Sequence, residues 1–130
     1  MTKKSKKPNT IGARLQIAFN ELGISREEAA ETIGTSLASV NRYLCDQEPI
    51  PEIRMELLLL KKGISKTYIF ENKGEPKADW EERLYFIERD RQLINKIRHD
   101  QTLWEITTKL SKLSAENLKF VSTLVSKLKR

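Results

Sequence analysis

Little in this chain is equipped for redox or metal chemistry. Cys45 is its one cysteine and His99 its one histidine, so an intramolecular disulfide and a cysteine-built zinc site are both excluded, and nothing calls for an oxidising compartment. Cys45 reads as a half-buried small residue and His99 as a surface one. Long apolar runs are missing too. The longest aliphatic run, Leu57 to Leu60, falls far short of the roughly 20 residues a membrane-spanning helix needs. The N-terminus has lysines but no apolar stretch behind them to make a signal peptide. A soluble, cytoplasmic chain with no membrane partner is the expectation. No glycine-rich phosphate loop occurs, and the carboxylates Glu27, Glu28 and Glu31 fall at exposed helical positions, a solvated face rather than an acid-base pair. Neither an enzyme nor a cofactor is expected.

Glycine and proline are scarce and unevenly spread. Five Gly and four Pro occur, none beyond Pro76, which leaves 54 residues free of both. Strand-like alternation is absent throughout, so the chain is expected to be all-α. Positive charge is uneven as well. The total is +6, from 24 Lys and Arg against 18 Asp and Glu, a balance that favours a polyanionic partner. Residues 8 to 74, however, hold eight basic and nine acidic side chains, whereas the first ten hold Lys3, Lys4, Lys6 and Lys7 and no acid. Residues 1 to 9 therefore read as a flexible basic arm, either a DNA contact or a solvated tail.

From residue 10 onward short helical patterns alternate with turn signals. Ile11, Leu15, Ala18, Phe19 and Leu22 recur at steps of three and four before Gly23, as one amphipathic helix requires. Ser25 opens a second, with Glu28 as its reciprocal capping partner and Ala29, Ala30 and Ile33 inward, until Gly34 ends it after about two turns. Thr35 and Ser36 cap a third, Leu37 through Leu44, with Val40 and Leu44 inward. A fourth runs from Ile53 to Leu60, ending near Lys61, Lys62 and Gly63, where cations suit the helix dipole. Two short helices joined by a tight glycine turn match the helix-turn-helix unit. On packing grounds alone such a unit serves equally as a small bundle that binds protein.

Residues 11 to 60 resemble the lambda-repressor-like family, also called Cro-type or xenobiotic-response-element-type regulators, and the landmarks are densest from Ile24 to Leu44. The stretch from Gly63 to Glu75 is similar to one that closes the domain in phage-type repressors, with an aromatic under the last helix. The resemblance implies a helix-turn-helix domain of four to five helices over residues 10 to 74, and a sequence-specific transcriptional regulator, a phage-repressor-like repressor, whose partner is double-stranded DNA. The family's groove-facing positions fall on Ser36, Leu37, Ala38, Asn41 and Arg42, and its phosphate-facing position on Arg26; the lysine arm is similar to one that some members wrap around the duplex. Arg42 is the expected base reader, since guanidinium can donate two bonds to guanine. Leu37 and Ala38 depart from the family's usual amide and hydroxyl side chains, and Asp46 and Glu48 stand where basic or amide groups are frequent. These departures suit an alternative, an antitoxin-like or adaptor interaction module with the same scaffold.

Residues 72 to 76, with Gly74 and Pro76, read as a linker, and residues 79 to 130 as a helical segment. Trp80, Leu84, Ile87, Arg91 and Ile94 follow four-three steps, and Leu103, Ile106, Leu110 and Leu113 a second series out of phase with the first, so a break is expected between Arg98 and Gln101. Ser114 opens a last helix with Leu118, Val121, Val125 and Leu128 on one stripe. These stripes must be buried, either on the first domain or, as the narrow seam favours, in a homo-oligomer, most simply a dimer.

Overall fold

A computed structural model describes residues 9–128. Among these, eight α-helices follow one another and no strand forms: α1 Ile11–Leu22, α2 Arg26–Ile33, α3 Leu37–Leu44, α4 Glu52–Lys62, α5 Lys66–Glu71, α6 Trp80–Arg98, α7 Gln101–Leu110 and α8 Ala115–Leu128. The fold is all-α, and two compact units divide it, one ending at Glu88 and the other beginning at Arg89.

In the first unit, helix starts are set by side-chain oxygens. Thr10 accepts from the Ala13 amide at 3.1 Å, Ser25 from Glu28 at 3.0 Å, Ser36 from Ser39 at 3.1 Å and Ser65 from Tyr68 at 3.1 Å, each satisfying a backbone donor that the first turn leaves without a helical partner. Between α2 and α3 the chain reverses at Gly34, whose φ of 69° lies in the left-handed region open to glycine. Packing follows from the apolar steps. Leu15, Ala18 and Phe19 of α1, Ala29, Ala30 and Ile33 of α2, Val40 of α3 and Met55 and Leu58 of α4 enclose one core, in which the two alanines allow close approach of helices.

Glu28 serves two elements. Its carboxylate interacts with the Ser25 backbone, as the capping pattern expects, and more strongly accepts from the Lys62 ammonium, tying α2 to the end of α4. That hydrogen bond and the nearby positive charge hold the Glu28 carboxyl below the usual carboxylate range. A second tie joins α4 to α5, where Lys66 donates to Glu52 at 2.6 Å and to buried Glu56 at 2.7 Å. Burial pushes the Lys66 ammonium down, but its bonds to the two carboxylates outweigh this and leave it raised.

Composition marks residues 72 to 76 as a linker, yet the backbone there returns to the first unit. Ser65 N donates to Pro76 O at 2.8 Å, Ala78 N to Gly63 O at 2.7 Å, and Ile64 and Lys77 form an isolated bridge. Ala78 is buried. The first turns of α6 are held in the same way: Glu82 accepts from the Thr67 amide at 3.0 Å and Arg83 donates to Leu60 O at 3.1 Å. The first compact unit thus extends to Glu88, past the Gly- and Pro-containing stretch, because backbone pairing and polar contacts outweigh the local turn signal.

The second unit holds the rest of α6, then α7 and α8. Asp100 interrupts the helical path and caps α7 by accepting from Leu103 N at 3.0 Å, and Ser114 accepts from Asn117 N at 3.2 Å ahead of α8. None of the described residues in this unit is buried. Ile97, Leu103, Leu110 and Val121 are half-buried, while Leu93, Ile94, Trp104, Ile106, Leu118, Phe120, Leu124, Val125 and Leu128 are exposed. No helix among the described residues is long and apolar enough to cross a membrane.

Candidate nucleic-acid interface

The polar residues singled out on α2 and α3 meet in two small networks. The first is built on Arg26, the opening residue of α2. Its Nη1 donates to Asn41 Oδ1 at 2.8 Å and its Nη2 to Gln16 Oε1 at 3.1 Å, so one guanidinium bridges α1 and α3. With Oδ1 engaged, the Asn41 amide nitrogen is oriented as a donor. The second network is built on Arg42, whose Nε donates to Glu48 Oε1 at 2.9 Å and whose Nη2 donates to Ser39 Oγ at 3.0 Å. Arg42 and Glu48 are both near half exposed, at 45% for each side chain, a setting in which an ion pair contributes little stability, about 0–1 kcal/mol.

The other expected residues divide by role. Leu37 and Ala38 are exposed at the first turn of α3, where apolar groups can touch a thymine methyl but cannot read a hydrogen-bonding edge. Ser36 is exposed, but its hydroxyl oxygen is committed to the Ser39 amide as a cap. Lys3, Lys4, Lys6 and Lys7 lie outside the described residues. Glu27 and Glu31 are exposed on α2.

The departures Asp46 and Glu48 have local explanations. Past α3 the chain turns through Cys45, which is exposed rather than half-buried, and Asp46, whose φ of 60° is left-handed. Asp46 Oδ1 accepts from the Gly12 amide at 2.8 Å, so this carboxylate serves the positive end of α1. Only a glycine permits the contact. A Cβ built on Gly12 would stand 2.5 Å from Leu44 O and 2.7 Å from Tyr43 O. Arg14, two residues on, is also buried, and its Nε donates to Ile69 O at 2.8 Å. Its guanidinium is a structural tie and not part of the α3 surface.

Gln16, Ser39 and Glu48 are the partners that sequence reasoning did not assign to the site. Gln16 falls off the apolar steps of α1, which predicts a polar side but names no partner. Ser39 carries the only clear signal, lying three residues before Arg42, on the same helix face. Among the described residues, no group of three or more His, Cys, Asp or Glu side chains is placed to hold a metal ion. Comparison with protein-family models, with curated proteins and with solved structures finds no match to this chain.

Proposed function

We propose that α2, the Gly34 turn and α3 form a helix-turn-helix of the lambda-repressor-like type, and that the protein is a sequence-specific, double-stranded-DNA-binding transcriptional regulator acting without catalysis. In this proposal α3 enters the major groove by its N-terminal end, with Arg42 and Asn41 reading base edges, Leu37 and Ala38 against thymine methyls, and Arg26 on phosphate. The lysine arm adds contacts independent of sequence. The observation that carries it is the outer surface of α2 and α3, where Arg26 of α2 and Asn41 and Arg42 of α3 are each held by side-chain hydrogen bonds, with α3 locked from behind by buried Val40. Residues 79 to 130 would join two copies, since the apolar stripes of α6, α7 and α8 have no buried core of their own.

The alternative of a protein-interaction module rests on exposed Leu37 and Ala38 and on the acidic Asp46 and Glu48. Asp46 supports it less than composition suggests, because its carboxylate is occupied by Gly12. Enrichment of random duplexes on the full chain separates the two, followed by salt titration with and without residues 1 to 7. A DNA reader enriches a defined sequence, and loss of the arm flattens the salt slope by up to about 0.9 per lysine on phosphate. Failure to enrich any sequence, with no salt-dependent binding, would leave the interaction module.

A further inference from the structure

A guanidinium has five N–H donors, and the two that Arg42 spends among the described residues lie along one edge. Nε is held by Glu48 and one Nη2 hydrogen by Ser39. Both hydrogens of Nη1 and the second of Nη2 remain, and one from each nitrogen forms the end-on fork that matches guanine O6 and N7. We propose that Glu48 is a positioning residue for Arg42, holding the fork in register and thereby setting a guanine preference. The inference rests on the DNA-binding function proposed above.

Glu48 can do this because its own place is fixed. Backbone bonds from Gln47 N to Arg42 O at 2.9 Å and from Asp46 N to Tyr43 O at 3.2 Å fold the chain back over the end of α3, and Asp46 is pinned to Gly12. A carboxylate on this braced turn reaches a guanidinium six residues earlier. An arginine held before binding loses less rotamer freedom when it meets a base. Its paired charge also attracts phosphate less, which lowers affinity for sequence at random.

The test uses the full chain and the duplex it enriches, derivatives of that duplex with each G·C pair changed in turn, and a mixed-sequence duplex. Glu48→Ala and Glu48→Gln remove the same charge, but only the glutamine keeps an acceptor oxygen for Nε. Affinity for the mixed duplex is expected to rise equally in both. A bidentate arginine discriminates guanine by ~5- to ~150-fold, and at one G·C position Glu48→Ala should lose about fivefold or more of this while Glu48→Gln stays within about twofold of the unaltered chain. Discrimination unchanged in Glu48→Ala, or lost equally in both variants, overturns the proposal and leaves DNA binding standing. If the unaltered chain enriches no duplex, DNA binding itself fails, and the role of Glu48 with it.

Discussion

At the scale of single residues, the tightest constraint falls on a position that sequence patterning passes over. Gly12 sits inside α1, where alanine is normally favoured by up to about 1 kcal/mol. Here the added methyl would meet two backbone carbonyls, at 2.5 and 2.7 Å, and backbone yields less easily than a side chain. Gly12→Ala is therefore expected to destabilise the first unit by about 1–2 kcal/mol net, the overpacking cost exceeding the propensity gain. Urea denaturation measures it, and stability equal to the unaltered chain would refute the close approach. Glu28 makes a different kind of prediction. Its carboxyl is held low chiefly by the hydrogen bond from Lys62 and then by that ammonium's charge, so its contribution is complete above the ordinary carboxylate range and is lost as pH falls through the lowered value. Glu28→Gln should flatten the acid side of a stability profile measured across pH. An acid limb of the same slope would show the Lys62 pair to be without effect.

At the scale of elements, local signals set the helix ends and tertiary contacts do the rest. Asp100 is instructive because its helix has no core to fall back on. The cap it provides to α7 is worth about 1 kcal/mol, and none of the α7 side chains is buried. Asp100→Ala should therefore speed amide hydrogen exchange in the first turn of α7 without touching α1 to α5; unchanged exchange there would mean that packing, not the cap, holds the turn. The same contrast explains what was legible beforehand. The apolar steps before Gly23, the caps at Ser25 and Ser36 and the break after Arg98 are short-range features, and each appears in the structure within a residue or two. The Asp46 bond to Gly12 spans 34 residues and the Arg14 bond to Ile69 spans 55; no periodicity encodes such pairs. α5 is only six residues long, too short for a helical repeat to stand out. On the candidate surface, Arg26 of α2 and Arg42 of α3 could be named in advance, but the partners that orient them, Gln16 and Glu48, come from other segments.

At the scale of the whole molecule, the contrast is between a first unit with a closed core and a second with no buried described side chain. A cut after Pro76 would remove Ala78 and the contacts of Glu82 and Arg83 along with the helical segment. A cut after Glu88 respects the first unit. Residues 1 to 88 are expected to remain folded and monomeric, while the full chain associates at micromolar concentration and binds an enriched duplex more tightly, because the second half-site is met at high effective concentration. Light scattering on both decides it, and a monomeric full-length protein would refute pairing through residues 79 to 130. The uncovered helices also bear on how long a copy of the chain survives. Beyond Glu88, Arg89, Arg91, Lys96, Arg98, Lys109, Lys112, Lys119 and Lys127 lie on or beside helices with no core of their own, and such stretches open to proteases at little cost. A second copy would close them, so copies too dilute to pair would be cut first, and turnover would remove the chain that stays unassembled.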